Sequence, residues 1–112
     1  MLPDQLMQAL LAFRAERAWE PFHTPKNLAI AITVEAAELL EEFRWSRDAD
    51  PVPVTDNLRH EIADVTILLA YLAHDLGIDI DAAVREKLAI NAERYPVDRS
   101  RGVSGRPSPA SH

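Results

Sequence analysis

Apolar residues recur along this chain at three- and four-residue intervals, so it reads as nearly all helix. Pro3 and Asp4 suit a first helical turn, and Leu6, Leu10, Phe13 and the stem of Arg17 carry that helix to about Trp19. Glu20 to His23 is a connection, because Pro21 would break a helix interior. Thr24 and Pro25 restart the chain as N-cap and first helical residue of a second helix, which runs to about Arg44. A polar, Pro-containing loop covers Ser46 to Pro53. Thr55 or Asp56 caps a third helix, with Leu58, Ile62, Val65, Leu69, Leu72 and Leu76 as its stripe and Gly77 as its stop. Asp79 or Asp81 caps a fourth, which ends before Pro96 and groups Val84, Leu88 and Tyr95 with Asn91, flanked by Lys87 and Arg94. The predicted fold is all-α: an antiparallel bundle of about four helices over residues 1–97, followed by a disordered tail at 98–112.

The second and third helices share an irregularity. Each sets a pair of acids, spaced three residues apart, against its apolar stripe: Glu35 and Glu38, then Glu61 and Asp64. On a helical wheel Glu35 falls between Leu28 and Ile32, and Glu61 lies about 20° from Leu68 and Leu72. Glu38 sits about 60° from Glu35, at the stripe's edge, and Asp64 is one step further out than Glu61. A short loop favours packing the two helices as antiparallel neighbours, which brings the four acids together. Two carboxylates ~4 Å apart repel by roughly 4 kcal/mol at an effective dielectric of ~20. A divalent cation relieves that repulsion. Every donor is oxygen, so the cation is a hard one, Mg2+ with Mn2+ as the alternative. Zinc would want nitrogen or sulfur ligands, and a di-iron site would want twin Glu-x-x-His motifs. Glu20 and His23 match that motif only in a loop and without a twin. Magnesium binds carboxylates together with substrate phosphates, so a phosphate-bearing substrate follows. The competing reading of the acid pairs is an ordinary solvated helix face.

Composition narrows the classes. The chain of 112 residues has a formal net charge of −6 and no cysteine. One domain is expected, without disulfides or thiolate metal sites. The acidic balance argues against nucleic-acid binding. No apolar run spans a membrane, the N-terminus does not read as a secretory signal, and a cytoplasmic location is expected. His60 and His74 read as surface residues, whereas His23, in the loop before the second helix, is placed to touch a ligand. Trp19 and Trp45 stand at helix ends, either as plugs for the core or as flat platforms for a base, where stacking contributes about 1–3 kcal/mol.

Four motifs occur in order: Trp19-Glu20-x-Phe22-His23-x-Pro25-x-Asn27-Leu28, Glu35-x-x-Glu38-x-x-Glu41-x-Phe43-x-Trp45, Glu61-x-x-Asp64-Val65 and Lys87-x-x-x-Asn91-x-x-Arg94-Tyr95-Pro96. Together they resemble the MazG-like all-α nucleotide pyrophosphohydrolases over about residues 10 to 97, with the pattern nearest that of the dCTP-hydrolysing members. The resemblance implies a homotetramer built as a dimer of dimers. It implies hydrolysis of a (deoxy)nucleoside triphosphate, dCTP or a modified nucleotide, to the monophosphate and pyrophosphate. Glu35, Glu38, Glu61 and Asp64 would be the catalytic and metal-binding acids. Trp19 and Trp45 would border the base pocket, with His23 and Asn27 near its entrance. Lys87, Asn91 and Arg94 would approach the phosphates, and Tyr95 would help close the pocket. The dCTP-specific members have His and Tyr where this chain has Leu10 and Leu68, which puts the base preference in question. The rival expectation is a non-catalytic helical adaptor whose acid pairs form salt bridges at a subunit interface.

Overall fold

In the computed structural model, which describes residues 1–103, the chain forms α1 (Asp4–Glu16), a 3-10 turn (Glu20–Phe22), α2 (Pro25–Glu41), α3 (Asp56–Asp75), α4 (Ile80–Arg94) and α5 (Val97–Ser100). It divides into two compact units that meet in sequence between Ile78 and Asp79.

In the first unit the helix starts follow local chemistry. Thr24 caps α2 by accepting from the Asn27 N–H at 3.1 Å, and Pro25 occupies a position that has no use for an N–H. Thr55 caps α3 the same way, accepting from Leu58 at 3.1 Å. Two ends differ from expectation. α1 stops at Glu16 rather than near Trp19, because Ala18 enters the left-handed region at φ 52°. The Ala18 N–H then bonds the Ala15 carbonyl, and the Trp19 N–H bonds Arg14. That is a Schellman closure, and it turns Trp19 out of the helix. α2 stops at Glu41, and residues 42–46 tighten into turns with three-residue hydrogen bonds, such as Phe43 N–H to Leu40.

α2 and α3 are the principal packed pair. The Asn57 amide at the start of α3 bonds the Glu42 carboxylate just beyond α2, so the two helices run antiparallel. α1 joins the later half of α3. The Tyr71 hydroxyl donates to the Leu10 carbonyl at 2.5 Å, and Arg14 forms an ion pair with Asp75. Leu28, Leu58, Ala70, Tyr71 and Ala73 make up the buried apolar core. Of the expected α3 stripe only Leu58 belongs to it; Val65 and Leu72 are half-buried, Ile62 and Leu76 are each 52% exposed and Leu69 is 40% exposed. Three helices cover less than the width of that stripe.

In the second unit Asp79 caps α4 by accepting from the Ala82 N–H at 3.1 Å. No residue of α4 is buried. It ends at Tyr95, whose N–H bonds Asn91, ahead of Pro96. Val97–Ser100 then form one helical turn where no structure is expected, and the rest of the expected tail, from residue 104, lies outside the described residues.

Candidate functional site

The α2–α3 pair brings three of the four expected acids together. Glu35, Glu61 and Asp64 each offer a carboxylate oxygen, and these atoms all lie within 4.8 Å of one another. Glu35 comes from the middle of α2, and Glu61 and Asp64 lie three residues apart on α3. Glu35 and Glu61 are half-buried, and Asp64 is exposed. Glu38 is exposed and stands outside the trio, although its charge still acts on Glu61.

Glu61 carries the strain of this arrangement. Its carboxyl is held above the usual range, first because it is shielded from water, then by its contact with Glu35 and by the negative charges of Glu35, Asp64 and Glu38. Its Oε2 is out of contact with solvent and has no hydrogen-bond partner. A shielded acceptor without a donor, among like charges, is a strained arrangement unless a cation faces it. The donor set is all oxygen, which suits a hard divalent cation.

Beside the acids lies a cavity of about 340 Å³, lined by Glu35, Asp64 and an otherwise apolar and aromatic wall. That volume falls at the lower end of the ~300–1,000 Å³ found for small-molecule pockets. Phe13 and Trp19 meet edge to face with centroids 5.7 Å apart, and the His23 ring tilts against Trp19 at 6.1 Å and Tyr71 at 5.3 Å. Leu10 and Leu68 also line the cavity, together with Ile67. Behind it Arg14, only 6% exposed, pairs with Asp75 through two hydrogen bonds of 2.8 and 2.5 Å and lies over the Tyr71 ring at 4.7 Å. Burial pushes the Tyr71 phenol up; the hydrogen-bonded Arg14 holds the Asp75 carboxyl below its usual range.

Of the expected base-pocket residues, Trp19 and His23 reach this cavity. Asn27 instead ties down the chain entering α2, its side-chain amide donating to the Phe22 carbonyl at 3.1 Å. Trp45 is 85% exposed beyond the end of α2, with the Arg44 guanidinium 4.6 Å from its ring, and it is not among the lining residues. Lys87, Asn91 and Arg94 fall on α4, with Tyr95 as its C-cap, in the second unit. The wheel passes over Phe13 as a wall residue, and over Tyr71 and Arg14 altogether. A signal was present: Arg14 lies four residues after Leu10, and Asp75 four after Tyr71, so each charge shares a helix face with a cavity residue.

Comparison with known proteins follows the same lines. The MazG-like family model matches residues 30–106. Among curated relatives, dCTP pyrophosphatase 1 of Rattus norvegicus is 44% identical over 96 residues, which is 80% of this chain and 56% of that protein. The Homo sapiens protein of the same name is 39% identical over 106 residues, 89% of this chain and 62% of that one. The chain thus spans a little over half the length of these relatives. Among solved structures, a pyrophosphatase from Archaeoglobus fulgidus DSM 4304 superposes with a TM-score of 0.79 at 40% identity, covering 83% of this chain and 91% of that chain.

Proposed function

The chain belongs to the MazG-like family, and from that premise we propose that it hydrolyses a (deoxy)nucleoside triphosphate to the monophosphate and pyrophosphate. The observation that carries this reading is the acid trio at the edge of an aromatic cavity. One end of that arrangement suits a cation and phosphates, and the other a flat apolar ring.

Glu35, Glu61 and Asp64 would hold Mg2+, with Glu38 as a further ligand and Mn2+ as a substitute. The ion, when bound, neutralises phosphate charge and makes a water more acidic. Glu35 is half-buried and lines the cavity itself, so its carboxylate orients the attacking water and accepts a proton from it. Water adds across the α–β anhydride, and pyrophosphate departs. Trp19 and His23 border the base, and Asn27 holds the chain at the pocket entrance. On the family pattern, Lys87, Asn91 and Arg94 of α4, with Tyr95 at its C-cap, are the candidates for phosphate contacts.

The named relatives make dCTP the first substrate to try, with modified nucleotides second. Leu10 and Leu68 line the cavity without a polar atom, so base contacts fall to other residues. The exposed apolar side chains of the single chain, Ile30, Val34, Ile62 and Leu69 among them, support a homo-oligomer, which we take to be a tetramer of paired dimers. The test is a panel of canonical and modified deoxynucleoside and ribonucleoside triphosphates, assayed for pyrophosphate release with Mg2+. Release from at least one nucleotide, lost in Glu61→Gln, is expected; no release from any, by protein that is folded, overturns the proposal.

A further inference from the structure

Among the described residues, Arg14 is the charged side chain that the fold buries. It does not line the cavity; it lies behind two residues that do. Besides its ion pair with Asp75 and its stacking on Tyr71, it makes a long hydrogen bond of 3.5 Å from Nη1 to Nδ1 of His23. A guanidinium has donors and no acceptor, so Nδ1 must be the accepting nitrogen. The ring proton then sits on Nε2, which is left as a donor. The Tyr71 and Trp19 rings flank the imidazole and limit its rotation.

The consequence for a ligand follows from counting donors on the cavity wall. Leu10, Phe13, Ile67 and Leu68 have none, and Glu35 and Asp64, when ionised, only accept. The Tyr71 hydroxyl hydrogen is committed to the Leu10 carbonyl. That leaves the Trp19 indole and His23 as the side-chain N–H donors of the wall. We propose that the Arg14–Asp75 pair is a positioning device that fixes His23 as a hydrogen-bond donor to the base of a bound nucleotide, resting on the nucleotide reading given above. The base class it favours presents a carbonyl oxygen or an unprotonated ring nitrogen at that point. Without Arg14 the ring can take the opposite tautomer and turn an acceptor toward the same atom, which the base then repels.

The test uses the full chain, labelled with 15N in histidine. In chelator, the His23 ring nitrogens of the wild type should show Nε2 protonated and Nδ1 bare. Titration with the deoxynucleoside monophosphates should shift the Nε2 signal with at least one of them. In Arg14→Met and Asp75→Asn the two tautomers should mix. KM for the preferred triphosphate should rise about five- to tenfold, the loss of about one hydrogen bond, while kcat stays within about twofold. A proton on Nδ1 in the wild type overturns the proposal, and that measurement needs no variant to fold. A His23 ring that no monophosphate moves also overturns it. The two readings fail separately: hydrolysis with an unresponsive His23 sinks this one alone, and a responsive His23 without hydrolysis of any triphosphate sinks the enzyme and leaves the positioning device.

Discussion

Glu61 is the residue on which the electrostatics of the site converge. Its raised carboxyl means that the folded, metal-free protein holds that proton more tightly than the unfolded chain does. The sign is therefore fixed: in chelator, stability is fully present below the ordinary carboxylate range and declines as pH rises through the elevated value. Glu61→Gln removes the half-buried, crowded charge, so this variant should melt later than the wild type in chelator at neutral pH. It should also lose most of the Mg2+-dependent gain in melting temperature, since an ion bound to the folded state alone raises stability. A scan with and without chelator checks both, and a lower melting temperature for the variant in chelator contradicts the crowding. Asp75 has the opposite sign. Arg14 depresses its carboxyl, so its contribution is present above the ordinary range and is lost as pH falls through the depressed value. Asp75→Asn should cost about 1.5–3 kcal/mol at neutral pH and flatten the acid limb of a urea-denaturation pH series. The acids Glu35 and Glu61 were legible in the chain because charge in the middle of an apolar stripe is anomalous. Arg14 and Asp75 carry only the weaker signal of sharing a helix face with Leu10 and Tyr71, and each looks like an ordinary surface charge until α1 and α3 are placed side by side.

At the level of the helices, the beginnings were easier to read than the ends. Thr24-Pro25, Thr55 and Asp79 carry cap chemistry that depends only on neighbours in sequence, and each caps the helix expected of it. Gly77, at φ 66°, closes α3 in the same Schellman form that closes α1, with its N–H on His74 and that of Ile78 on Ala73. At α1 the equivalent position is Ala18, which has no signature of a stop, so the helix reads as running on to Trp19. A left-handed Ala is unfavourable by about 1–2 kcal/mol, and the added freedom of an unfolded glycine offsets part of that. Ala18→Gly should therefore stabilise the protein by up to about 1 kcal/mol, and Gly77→Ala should destabilise it by about 1 kcal/mol. Denaturant titration of the pair checks both signs. Because Ala18 also turns Trp19 to the cavity, its replacement by glycine should leave nucleotide KM unchanged only if Trp19 keeps its place against Phe13 and His23.

For the molecule as a whole, the buried core of the single chain is small, with five apolar residues buried among the described residues. Many large apolar side chains lie on the surface instead, and small domains that bury so little usually need help from a partner. The helical pattern registers a broad apolar stripe but does not say whether its far edge meets its own chain or another. That is why Ile62, Leu69 and Leu76 read as core residues and are exposed in the single chain. Sedimentation velocity at micromolar concentration should give a species of four 12.5 kDa chains, and a monomer at every concentration would remove the oligomer from the account. The central claim, that the three clustered carboxylates serve phosphoanhydride hydrolysis through a divalent ion, is tested most directly by 31P NMR of dCTP mixed with the protein. With Mg2+ the three triphosphate resonances should give way to those of a nucleoside monophosphate and pyrophosphate, and excess chelator should arrest the change. Orthophosphate and a diphosphate as the products, or an equal rate in chelator, would contradict it.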